Sequence, residues 1–289
     1  MEIKRVALVM ADISGYTRFM KIHTMSLLHA EAIITELLEA VLDHAEFPLT
    51  LSKLEGDAAF MYATLEDDSQ ASAAAATRDI LRQVTAFFEA FHAKERALIA
   101  CDTCRCEGCN HIAELKLKAF LHVGEVAFKK IRQFEELAGE DVILIHRLLK
   151  NTVPAKEYIL LTERFYELSG GFGEGPLEAR TEEAEGLGPV AVRVHYPAED
   201  TTPLPPRPAP APPSPDNPEL MALANRMNDY AVKRALGRVE QPRFSHLPNV
   251  KLGPASLLSY FVVGIGNNLM EAIHYRLQRK ARGSRPMLS

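Results

Sequence analysis

The chain has 289 residues, of which 47% are hydrophobic and 25% charged, ordinary values for a soluble globular protein that can bury a core. That length fits one good-sized domain with an appendage, or two small domains. The formal net charge of −5 gives no electrostatic basis for a nucleic-acid partner, and none is expected.

A strand-like run from Ile3 to Met10 starts the chain, with no basic-then-apolar leader, so a cytoplasmic location is expected. Val6, Leu8 and Met10 alternate as in a strand, and Leu27, Ala30, Ile34, Leu38, Val41 and Ala45 then recur at helical steps. Strands are predicted over Leu49–Leu54 and Ala58–Tyr62, with Glu55-Gly56-Asp57 as the hairpin turn between them. A long helix is predicted from about Ser69 to Ala93. Leu115–Val123 and Val126–Ile131 read as a second hairpin, turning at Gly124. A short helix over Asp141–Lys150 and strands over Tyr158–Thr162 and Val190–Tyr196 complete the first 200 residues. Two hairpins with helices packed on one face predict an antiparallel-rich α+β sheet and exclude a Rossmann fold.

The clearest boundary is 201–218, which holds half of the chain's 18 prolines and predicts a semi-rigid spacer. The remainder, 219–289, reads as a helical tail. Asn217-Pro218-Glu219 is a helix start, an apolar stretch spans Leu252 to Ile265, and Arg276, Arg279, Lys280, Arg282 and Arg285 follow it. The apolar stretch is shorter than the ~20 residues a transmembrane helix needs. The tail therefore fits either docking on an anionic membrane surface or packing against protein, the domain itself or a partner.

All four cysteines fall between Cys101 and Cys109, which is unlike a disulfide framework that staples distant segments. Cys101-x-x-Cys104-x-Cys106-x-x-Cys109 offers paired thiolates suited to tetrahedral zinc, with His111 as a substitute ligand and an iron–sulfur cluster as the alternative. The expected site is closed and structural, tying a loop over 101–111.

Two acidic motifs remain. Asp12 closes the first strand in Ala11-Asp12-Ile13-Ser14-Gly15-Tyr16-Thr17, and Asp57 sits at the hairpin tip in Lys53-Leu54-Glu55-Gly56-Asp57. If the two strands are neighbours, both carboxylates reach one sheet edge, where hard oxygen ligands suit Mg²⁺ or Mn²⁺. Alone, Asp12 reads more readily as a helix N-cap or turn aspartate and Asp57 as a plain Gly-Asp turn. The glycine-rich run Gly170–Gly175 lacks the Lys-Ser/Thr of a P-loop and reads as a turn.

In order and context, these motifs resemble the class III adenylyl and guanylyl cyclases. Asp12-Ile13-x-Gly15-Tyr16-Thr17 and Lys53-x-x-Gly56-Asp57 look like the family's two metal motifs, and His122-Val123-Gly124-Glu125-Val126 like its central hairpin. Gly139-Glu140-Asp141-Val142 with Arg147-Leu148, then Glu157–Leu161, resemble the catalytic helix and the strand after it. The likeness covers roughly residues 3–196, and His146–Asn151 with the cysteine loop resembles a bacterial branch of cyclase homologues. It implies a ferredoxin-like, cyclase-type domain over 1–200 that acts as a head-to-tail homodimer. By the same resemblance, Asp12 and Asp57 would hold two Mg²⁺ or Mn²⁺ ions, Lys53 and Glu136 would read the base, and Arg147 would stabilise the pentavalent phosphate. The ligand would be a nucleoside triphosphate, and the reaction cyclisation with loss of pyrophosphate.

Two departures weigh against turnover. Ile143 stands where the family has a ribose-orienting asparagine, and Ala184-Glu185-Gly186 places an acid where a phosphate-binding lysine is expected. The sequence thus supports a cyclase-like nucleotide binder with weak or absent synthesis, or a catalytically inactive cyclase-fold module used for dimerisation and interaction in signalling.

Overall fold

The computed structural model describes residues 2–20, 24–65, 69–101, 107–173, 175, 177–197, 217–235 and 238. The elements in order are β1 (Glu2–Ser14), α1 (Tyr16–Met20), α2 (Thr24–Leu42), β2 (Thr50–Glu55), β3 (Ala58–Thr64) and α3 (Gln70–Cys101). A short α4 (Glu107–Asn110) and a 3-10 turn (Ile112–Glu114) lead to β4 (Lys116–Ile131), β5 (Phe134–Ala138) and α5 (Glu140–Leu148). Then come β6 (Tyr158–Thr162), α6 (Glu163–Ser169), β7 (Leu177–Ala184), β8 (Gly188–His195) and α7 (Pro218–Ala235).

The strands form one sheet in the order β2-β3-β1-β4-β6-β8-β7, with β5 pairing back on β4. All ladders are antiparallel except β4–β6. The expected α+β, antiparallel-rich architecture is therefore observed. The chain forms two compact units: Met1–Tyr16, Leu37–His92 and Glu114–Thr201 make the first, and Thr17–Glu36, Ala93–Ala113 and Thr202–Ser289 the second.

In the first unit, β1 lies between β3 and β4, and Val6 through Ala11 are wholly buried on both faces of the strand. Side chains alternate across a strand, so Val6, Leu8 and Met10 share one face. There they join Phe60, Phe120, Tyr158, Leu160 and Val194 in a core that Ile145 and Leu148 of α5 complete. Ala7, Val9 and Ala11 on the other face are buried equally.

Local chemistry sets the helix ends. The Ser69 hydroxyl accepts the Ser72 N–H (3.2 Å) and starts α3. Gly170, in the left-handed conformation, ends α6, so the glycine-rich run begins as a helix stop.

The expected hairpin at Gly124 is not formed. β4 runs unbroken through Gly124, which pairs with Val6, and its hairpin partner is β5. Gly124 marks a close approach: a Cβ there would lie 2.1 Å from Asp141 Cγ.

In the second unit, Ala30, Ile33, Ile34, Leu98, Ile99, Ile112 and Leu223 are buried. Asn217 Oδ1 accepts the Leu220 N–H (3.1 Å), so α7 starts where the sequence predicts. Arg226 of α7 clamps both oxygens of Glu36 (3.2 and 3.1 Å), and Lys94 adds a bond of 3.0 Å. Burial opposes ionisation of Glu36, but these two cations outweigh it and hold its carboxyl below the usual range.

Cys101 and Cys109 are both buried, whereas Cys104 and Cys106 lie outside the described residues. So do the linker as far as Asp216 and the apolar and basic segments of the tail. Among the described residues no helix is long and apolar enough to cross a membrane.

Candidate functional site

Several of the residues that the sequence singled out lie on or beside the face that carries α5. Asp12 continues the parity of Leu8 and Met10 and stands opposite Ala58 on β3 and Lys118 on β4. Asp57 occupies the turn between β2 and β3, where Gly56 takes a φ of 72° that other residues rarely adopt. The Asp57 carbonyl accepts the Ile13 N–H at 3.1 Å, which ties this turn to the end of β1. Both aspartates therefore reach one edge of the sheet.

Burial raises the pKa of Asp12, and Lys118 partly offsets the effect. The Asp57 carboxyl is pushed up to about 7, chiefly by burial and then by the neighbouring Asp12 charge. Two half-buried carboxylates within the field of Lys118 favour an added cation, and their hard oxygens fit Mg²⁺ or Mn²⁺. Among the described residues no cluster of three or more metal-ligating side chains occurs. The protein would thus supply two carboxylates, and other ligands would complete the sphere.

Further along the same face, Lys53 Nζ lies 2.8 Å from Glu55 Oε1 and 3.9 Å from Glu136, and 6.0 Å above the Phe60 ring. The expected base-reading pair is therefore brought together, with Glu55 as an addition. His146 of α5 joins it through Nε2, 3.0 Å from Glu55, while Nδ1 donates to the Val142 carbonyl at 2.7 Å. Burial works against ionised Glu55, but Lys53 and His146 prevail and lower its pKa.

Arg147 points elsewhere. Its Nη1 donates to Glu185 Oε2 at 2.7 Å, so the expected transition-state cation is paired with an acid. Ile143 lies on α5 and is 50% exposed.

Three features escaped the sequence reading. Lys118 joins the aspartates only through the β1–β4 register. Glu55 and His146 come from separate elements. Asp141 accepts from His122 Nε2 (2.8 Å), the Glu125 N–H (2.7 Å) and Arg164 (3.3 Å). Buried His122 also pairs with the Thr162 hydroxyl (2.9 Å), so it packs within its strand.

A family model described as a protein of unknown function, DUF2652, matches residues 34–158. The uncharacterized protein Rv2561/Rv2562 of Mycobacterium tuberculosis strain H37Rv is 33% identical over 173 residues, covering 60% of this chain and 76% of that protein. The chain belongs to the family of Rv2561/Rv2562.

Among solved structures, this Rv2561/Rv2562-family chain is similar to the guanylate cyclase domain of RhGC from Catenaria anguillulae, determined in complex with GTP. The TM-score is 0.50 at 14% identity, over 67% of this chain and 97% of that one. That likeness shows a cyclase-type fold. The adenylyl cyclase CyaB from P. aeruginosa aligns over 69% of this chain and 97% of its own, with TM-score 0.45 and 16% identity.

Proposed function

We propose that the α5 face of the first unit binds a nucleoside triphosphate together with a divalent metal ion. The observation that carries this reading is the arrangement of acids on one cyclase-type face. Asp12 and Asp57 meet at one edge, and Lys53 and Glu136 stand together further along it. Asp12 and Asp57 would hold Mg²⁺ or Mn²⁺, which supplies charge to clamp the polyphosphate and to acidify an attacking ribose hydroxyl. Lys53 donates to a ring nitrogen of the base, and Glu136 accepts from an amino group. Lys118 is well placed to offset charge on the phosphates. In a working cyclase the ribose 3′-hydroxyl attacks the α-phosphate and pyrophosphate leaves.

Synthesis by this site is weak. Arg147 must leave Glu185 before it can serve a phosphate, and Ile143 can orient no ribose oxygen. Losing one pre-organised polar group typically costs about 10² to 10³ in rate. A second reading, a catalytically inactive module that dimerises and signals through other contacts, is favoured by that same ion pair. Both readings take the active unit as a homodimer. We further assign the four cysteines to a structural zinc site, and the tail to a protein partner or an anionic membrane surface.

Nucleotide binding and turnover with Mn²⁺, on wild type beside Asp57→Ala, test the reading. Cyclic nucleotide and pyrophosphate from wild type alone indicate a slow cyclase. Metal-dependent binding without product indicates a nucleotide sensor. Neither binding nor product leaves the interaction module.

A further inference from the structure

The backbone at Glu185 is held in place by its surroundings. It opens the turn between β7 and β8, which Gly186 and Gly188 complete with φ values of 84° and 86° and which the Leu187 N–H closes onto the Ala184 carbonyl at 2.9 Å. Ala184, just before it, is buried. Glu182, also buried, accepts the Thr152 N–H (2.8 Å), the Thr152 hydroxyl (3.0 Å) and Arg180 Nε (3.0 Å). Thr152 lies in the loop that follows α5, so the β7–β8 hairpin is stitched to the segment next to the helix that carries Arg147. The Glu185 carboxylate therefore starts from an anchored base and meets the guanidinium at 2.7 Å.

The pair is exposed, at 39% for Arg147 and 75% for Glu185. Exposed ion pairs add little to stability. Its consequence falls on ligands instead: an anion approaching Arg147 must displace a carboxylate and then tolerate its charge. Lys53 is compensated in the same way, by Glu55 and Glu136.

We propose that Glu185 is a specificity-determining residue. It competes with phosphate for Arg147 and lowers the affinity of the site for the triphosphate. The proposal rests on the α5 face being an anion-binding face, as the reading above requires. A triphosphate, which carries the most charge, loses more affinity to Glu185 than a monophosphate or a cyclic phosphodiester does.

The test is binding of inorganic tripolyphosphate and of ATP, each with Mn²⁺, to the full chain as wild type, Glu185→Gln and Glu185→Lys. Glu185→Lys should bind tripolyphosphate about tenfold more tightly than wild type at low salt, with Glu185→Gln between them. The gain should vanish when Arg147→Met is added to Glu185→Gln. Glu183→Lys, on the exposed edge of β7, controls for a general rise in charge and should change affinity about twofold or less. Equal affinities across the Glu185 series, a gain that survives Arg147→Met, or no binding by any variant overturns the proposal. A tripolyphosphate gain without ATP affinity beyond it would uphold Glu185 and sink the nucleotide reading. Metal-dependent ATP binding that ignores Glu185 would do the reverse.

Discussion

Lys118 stands directly across the β1–β4 ladder from Asp12, and its charge is felt by Asp57 as well. Under the proposed function this lysine would compete with the metal ion for the two carboxylates. Its ammonium also lies 5.7 Å above the Tyr158 ring, which holds it over the core face.

Lys118→Met should therefore strengthen Mn²⁺ binding. One charge removed at close range is worth roughly 1 kcal/mol at a partly solvated site, or about fivefold in affinity. Manganese titration followed by electron paramagnetic resonance measures it. Unchanged affinity would place the lysine outside the metal's field.

The raised pKa of Asp57 predicts a pH-dependent stability. A carboxyl whose folded pKa lies above its unfolded value favours the fold while protonated and loses that advantage as pH rises through the folded value. The window runs from the ordinary 3.8 to about 7. Without metal, Asp57→Asn should match wild type near pH 4 and exceed it at pH 8, by roughly 1–3 kcal/mol. Denaturant melts at the two pH values decide it, and equal stability at pH 8 would contradict the account.

Gly124→Ala should be costly, because its Cβ would fall 2.1 Å from Asp141 Cγ. Overpacking of this kind costs typically 1–3 kcal/mol. Adding Asp141→Ala removes the clash, so the double variant should lose less than the sum of the single losses. Additive losses in a denaturant double-mutant cycle would show that the two residues do not meet.

How far the sequence revealed this molecule depended on distance along the chain. Asp57 and its turn were readable because Gly56-Asp57 between two apolar runs is local chemistry, and Asn217-Pro218 marked the start of α7 for the same reason. Lys118 was hidden because only the β1–β4 register brings it to Asp12. Glu185 showed as an acid in an unexpected place, but its partner came from another element. Gly124 was misread as a turn because a glycine in an apolar run signals a bend and a close approach alike. β7 went unnoticed because an edge strand reading Leu-Glu-Ala-Arg-Thr-Glu-Glu-Ala is mostly polar and half exposed.

Arg226→Ala should loosen α7. Glu36 would keep Lys94 but lose its bidentate partner, at a cost of about 1 kcal/mol near pH 7. The Glu36 carboxyl has a lowered pKa, so this contribution is present above its ordinary 4.5 and fades as pH falls through the folded value. Hydrogen exchange of the α7 amides should therefore accelerate at pH 7 and converge with wild type in acid. Equal exchange at pH 7 would mean that the clamp does not hold the helix.

Calorimetric titration of ATP into the full chain, with and without Mn²⁺, for wild type and Asp57→Asn tests the metal–nucleotide site itself. Binding to wild type should require the metal and be lost in the variant. Binding of equal strength with and without Mn²⁺, or undiminished in Asp57→Asn, would contradict a metal–nucleotide site built on Asp12 and Asp57.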